Sequence, residues 1–163
     1  MNYIQFYDGF IMLGQFKLSF ILLILIMSTQ TMNIFKFSAD ASMRRWQTIN
    51  DGVMGGLSKS SLSISEGGYG QFSGHVSLAN NGGFASVRLL TDVKVNPEIQ
   101  QIVLKIKGDE KNYQFRLKSE NDQDHSYIQT FKTTGEWQTV ALDLKDFSPQ
   151  YRGQQLDLPN FNF

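Results

Sequence analysis

The 163 residues are 41% hydrophobic and 18% charged, enough for one domain with its own core once a leader is set aside. Fifteen Lys and Arg balance fifteen Asp and Glu, which removes the basic footprint of a nucleic-acid binder or a polybasic membrane-surface protein. The absence of cysteine excludes disulfides, thiol catalysis and Cys-ligated zinc or iron-sulfur sites, and leaves the compartment open.

The first feature along the chain is the uncharged apolar run Leu18 to Met27, preceded by Lys17 in the order of a secretory signal. As a helix it covers about 15 Å, half of a hydrocarbon core of about 30 Å. Extending it through Phe10 to Leu13 and Phe16 would carry Gln15 and Lys17 into the membrane. Met12 offers an alternative start, since the residues before it include Asp8 and no basic side chain. Cleavage at Ala39-Asp40-Ala41 would remove the strand-like Ile34 to Phe37, so a cut near Ser28 to Thr31, or an uncleaved anchor, is expected. A mitochondrial transit peptide is disfavoured because the first arginine is Arg44. Residues 1–31 are therefore assigned to a signal or membrane-anchor segment, residues 32–163 to the domain, and the protein to an extracytoplasmic location, secreted or anchored.

Beyond the leader the hydrophobic period is 2, with runs bounded by Gly, Asn or Asp at short spacing, which predicts an all-β sandwich or barrel. Expected strands are Ile34 to Phe37, Trp46 to Ile49, Leu57 to Ser65, Gly70 to Leu78, Phe84 to Leu90, Gln101 to Lys107, Tyr113 to Lys118, Tyr127 to Lys132 and Trp137 to Leu144. Ile102, Leu104 and Ile106 share one face, as do Tyr113, Phe115 and Leu117, and the turn Gly108 to Asn112 between them predicts a hairpin with one buried face.

Catalytic chemistry has no foothold. His75 lies within a strand and His125 in a polar turn, with no third ligand at metal-site spacing. No serine sits in a nucleophile elbow, and the glycine cluster Gly52 to Gly56 lacks the Lys-Ser/Thr ending of a P-loop. Asp122 and Asp124 have the opening spacing of a calcium loop without its glycine or closing acid. No enzyme activity, cofactor or metal is expected.

The richest signals are three: Trp46 to Ser58, where Asn50 and Asp51 stand among Gly52, Gly55 and Gly56; Asn80 to Arg88, with Gly82 and Gly83; and Phe147 to Gly153. Asn50 to Gly56 is expected to form a tight, ordered loop in which glycine supplies φ > 0. Asn50 and Asp51 are suited to bracing the loop's own amides, to calcium or to a sugar hydroxyl, the bracing role being favoured. Arg88 on a half-buried strand needs a partner, and Asp51 is the candidate if the two glycine loops meet, with Trp46 and Phe84 as an aromatic floor. The alternative is an Arg88 that snorkels to solvent and aromatics that are ordinary core. Arg152 joins the same end or caps a strand edge.

These motifs, in this order from about Asn33 to Gly153, resemble the complex I intermediate-associated protein 30 family. The resemblance implies a jelly-roll β-sandwich of the galactose-binding-like type. It also implies a non-enzymatic, chaperone-like protein-binding role in assembling respiratory complex I (NADH:ubiquinone oxidoreductase), through contact with partly assembled membrane subunits. A secreted carbohydrate-binding or cell-surface module is the alternative on the same fold. Membrane contact is expected only through the N-terminal segment, and nucleic acid is not a partner. Family members continue past the Tyr-Arg-Gly element, so the sandwich is expected to lack its last strands and to expose an unpaired edge.

Overall fold

A computed structural model describes residues 32–91, 98–119 and 123–161. The expected signal or anchor segment and Asp122 lie outside the described residues. Alternating apolar and polar residues form strands β1 (Trp46–Asn50), β2 (Lys59–Ile64), β3 (Gly70–His75), β4 (Ala85–Leu89), β5 (Gln101–Lys107), β6 (Asn112–Leu117), β7 (Ser126–Lys132) and β8 (Trp137–Asp143). Two short strands follow, β9 (Ser148–Tyr151) and β10 (Gln154–Gln155). Helical structure among the described residues is limited to three 3-10 turns, at Asp51–Met54, Ala79–Asn81 and Leu144–Asp146, so the described fold is all-β. No described helix is long and apolar enough to cross a membrane.

The strands pair antiparallel as β1 with β4, β2 with β3 and β5 with β8, while a four-stranded sheet runs β10-β9-β7-β6. Leu142, Leu144 and Phe147 form the buried centre, packed by Ile102, Leu104 and Val140 from one side and by Phe115, Leu117, Tyr127 and Phe131 from the other. The inner faces of the β5-β8 pair and of β6-β7 thus share one core, as in a sandwich. Phe147 is wholly buried and meets Phe115 edge-on at 6.1 Å. Each such side chain contributes about 1.5–3 kcal/mol when withdrawn from water.

The expected hairpin between the strands now labelled β5 and β6 does not form. Both bury the faces foreseen for them, yet β5 pairs with β8 from Gln101↔Asp143 to Lys107↔Trp137, and β6 pairs with β7. Period-2 alternation specifies the face that turns inward and is silent about the neighbour along the sheet. The Gly108 to Asn112 connection is instead held by Thr133 and Thr134: the Gly108 amide donates to the Thr134 carbonyl at 3.1 Å and the Thr133 amide to the Lys111 carbonyl at 2.9 Å. Because the chain has no cysteine, the pairing can be tested cleanly. Val103→Cys with Ala141→Cys, which face each other across β5 and β8, should oxidise to an intramolecular disulfide. Val103→Cys with Lys118→Cys, which a β5-β6 hairpin would bring together, should not, as mass spectrometry after oxidation will report.

Two other expectations change. Ile34 to Phe37 has no strand pairing; it packs through Phe35 and Phe37, whose rings lie 5.2 Å from that of Trp46. Aromatic burial, not a backbone ladder, holds this segment. The strands β9 and β10 were unforeseen because Pro149 argues against a strand. Pro149 is buried opposite Tyr127, and the β9-β10 hairpin turns through Arg152 and Gly153, both at positive φ (50° and 81°), the geometry of a two-residue hairpin loop.

Candidate interaction site at the joined glycine loops

β1 ends at Asn50, and Asp51 opens the 3-10 turn with no solvent exposure at all. A buried carboxylate must be hydrogen-bonded, and this one is saturated. Its Oδ1 accepts the Ser58 amide at 2.9 Å. Its Oδ2 accepts the Ser58 hydroxyl at 2.5 Å, the Gly83 amide at 2.6 Å and the Phe84 amide at 3.3 Å. Ser58 extends the network, since its Oγ accepts the Ser77 amide at 3.0 Å. Asn80 donates from Nδ2 to the Gly55 carbonyl at 3.2 Å, and the Asp51 amide donates to the Phe84 carbonyl at 3.3 Å. One carboxylate therefore ties the loop after β1 to the loop before β4. The Ser58 hydroxyl is the main cause that holds the Asp51 carboxyl down at about 2; the Gly83, Ser58 and Phe84 amides add to it, against the upward push of desolvation.

The glycines serve this carboxylate in different ways. Gly55 closes the 3-10 turn at φ 87°, the left-handed conformation expected of it. Gly56 is not left-handed; a Cβ there would collide with the Asp51 side chain. Gly82 likewise leaves room, since its Cβ would stand 2.6 Å from Asp51 Oδ2. Gly83 at φ 136° presents the shortest amide contact to the carboxylate. Gly52 has open space around it. Asn50 braces the neighbouring strand, its Oδ1 accepting the Ser60 hydroxyl at 2.6 Å.

The motifs that build this lock fall in a span, residues 35–163, that matches the sequence profile of complex I intermediate-associated protein 30. The chain belongs to that family. No curated protein matches it.

Within this complex I intermediate-associated protein 30 domain, the remaining expected site residues do not converge. Asp51 does not pair with Arg88. Arg88 lies opposite Gln47, three steps along the ladder from the Asn50↔Ala85 end, and its side chain is exposed. Its charge is felt by Arg116, whose guanidinium is held below its usual range by burial first and by Arg88 second. Trp46 and Phe84 form no common floor. Trp46 starts β1, about 13 Å of extended chain from Asn50, and stacks on Phe37 at 5.2 Å. Phe84 contributes its backbone to Asp51. Arg152 occupies the β9-β10 turn and lies over the Tyr151 ring at 5.2 Å. Among the described residues no three His, Asp or Glu side chains group to hold a metal ion.

Sequence reasoning overlooked Ser58 and Ser77, because a serine's role as a relay between loops has no local signature. It also overlooked the apolar side chains these loops expose: Val53 (78%), Met54 (65%), Leu57 (56%) and Leu78 (82%). Their signal was present, as apolar residues set among turn-forming ones.

Proposed function

We propose that this domain is a non-enzymatic, chaperone-like binder of protein partners in the assembly of respiratory complex I, built as a jelly-roll sandwich and held outside the cytoplasm by its N-terminal segment. The observation that carries the binding role is the set of exposed apolar side chains, Val53, Met54, Leu57 and Leu78, borne on two loops that Asp51 locks together. Scattered apolar residues on a surface need no explanation, but four on one rigid loop pair suit a contact surface. Prior ordering of the loops lowers the entropic cost of docking. Partly assembled membrane subunits expose apolar surface that such loops can cover until the next subunit arrives. Family membership supplies the link to complex I.

The test is genetic and biochemical together. Loss of the gene in the native host should deplete the mature complex on native gels and accumulate a subcomplex. Val53→Asp with Leu78→Asp should reproduce that defect while the purified protein melts as the parent does, since both side chains are largely in water already. Normal complex I levels in the deletion strain would overturn the assembly role; rescue by the double variant equal to the parent would remove the loops from it.

A further inference from the structure

At the other end of β2 from the glycine loops, the turn from Ser65 to Gly70 carries Tyr69 across to Trp137 at the start of β8. The two rings lie 4.8 Å apart, tilted by 48°, and both are exposed, Tyr69 at 52% and Trp137 at 46%. Both rings line a cleft of about 280 Å³ whose wall includes Gln71 and Phe72 of β3 and Lys107 of β5. Tyr69 is placed by its own turn: its amide donates to Ser65 Oγ at 3.1 Å and its carbonyl accepts the Ser65 amide at 2.8 Å. Trp137 and Lys107 are register partners on the outer face of the β5-β8 pair, and Lys105, two pairs along on the same face, stands 6.0 Å over the Trp137 ring.

Large aromatic side chains half in water, in a concave wall beside two ammonium groups, are unusual for a surface without a ligand. Among the described residues Lys105 has no carboxylate partner, and Lys107 has only Glu136, 3.7 Å away with both side chains well exposed. An incoming carboxylate can displace so loose a pair. Lys107 is the charged residue in the lining of the cleft; Lys105, which stands over the Trp137 ring, and Glu136 and Glu66 lie outside that lining. The described partners of β3 lie on its β2 side alone, while residues 70–72 of β3 line the cleft, so backbone groups are at hand for an extended chain.

We infer that this cleft binds an extended, acidic segment of a protein partner, its carboxylates meeting Lys105 and Lys107 and its apolar side chains meeting Tyr69, Phe72 and Trp137. A neutral sugar is less well served, because the two rings are tilted by 48° against each other and Lys105 stands over the tryptophan. The inference rests on the protein-partner function proposed above and adds a second contact with defined chemistry, distinct from the apolar loops.

The probe is a fluorescein-labelled peptide of alternating aspartate and leucine, titrated with the full chain and followed by anisotropy. The parent should bind it, bind it more weakly as salt rises, and ignore the same peptide with lysine in place of aspartate. Lys105→Glu with Lys107→Glu should weaken binding roughly tenfold or more. Trp137→Ala should weaken it too, and circular dichroism should show both variants folded. In a Trp46→Phe background, where Trp137 is the sole tryptophan, its emission should shift on binding. No binding by the parent, equal binding by the lysine variant, or a Trp137 shift produced by cellohexaose and not by the peptide would overturn the inference. Complex I assembly distinguishes this failure from that of the function: if the deletion strain is defective and the lysine variant rescues it fully, the cleft is dispensable and the assembly role stands.

Discussion

Gly82→Val should cost the domain about 3 kcal/mol or more, a large share of the stability of an ordinary domain. The loss does not come from backbone conformation, since Gly82 has an ordinary extended geometry at φ −73°. It comes from space. A Cβ at this position would stand 2.6 Å from Asp51 Oδ2, 2.9 Å from the Ser77 carbonyl oxygen and 3.0 Å from the Ala79 carbonyl oxygen. Two of those three atoms are backbone and cannot swing aside, while the third belongs to a carboxylate fixed by four hydrogen bonds. Gly82→Ala already introduces the offending atom and should show most of the effect. Gly56→Ala, whose Cβ would run into the Asp51 side chain, should behave similarly, whereas Gly55→Ala meets no atom within 4 Å and should lose only about 1–2 kcal/mol through its left-handed φ of 87°. Gly52→Ala, in open space at φ below zero, should be near neutral. Urea melts of the five variants check this order; Gly82→Val melting with the parent would mean the loops are not joined through Asp51.

The second large effect is expected at Asp51 itself. Asp51→Asn preserves shape yet cannot preserve the bonds: Oδ2 receives three donors and Oδ1 receives the Ser58 amide, so either orientation of the carboxamide turns its NH2 toward a donor. The melting temperature at neutral pH should fall sharply, and the two glycine-bearing loops should lose protection in hydrogen exchange before the rest of the chain. The acid limb carries the same signature. Folding lowers this carboxyl from 3.8 to about 2, so between those values the unfolded chain binds more protons than the folded one and stability rises with pH. The contribution is complete above about 4 and disappears as pH falls through about 2. Asp40, held low mainly by the Ser38 hydroxyl, and Asp109, held low mainly by Lys111, have shifts of the same sign, so the parent's acid limb is a sum. The difference between parent and Asp51→Asn isolates Asp51: the variant should lose less stability than the parent from pH 4 to 2. Parallel acid limbs would show that the carboxylate is not held low by this network.

Local order in the chain was enough to establish the all-β class, the extent of most strands and the inward faces of β5 and β6, because side-chain alternation is a property of a strand by itself. Three motifs in sequence were enough to indicate the family that the match over residues 35–163 then showed. The importance of Asp51 among its glycines was also legible, since a carboxylate beside residues without Cβ signals a close backbone approach. Its partners were not. Arg88 looked like the natural counterion on charge alone, whereas the folded chain satisfies Asp51 with Ser58 and with the Gly83 and Phe84 amides, donors of a kind that every stretch of sequence contains. The same limit separates the faces of β5 and β6 from their pairing with β8 and β7, and Trp46 from Phe84. It also hid the cleft, because Tyr69 comes from the β2-β3 turn whereas Lys107 and Trp137 come from the long-range β5-β8 pair. Sequence determines what each segment can bury or bond over a few residues; which segments meet is decided only when loops close and sheets stack, since those contacts join residues that no local pattern links.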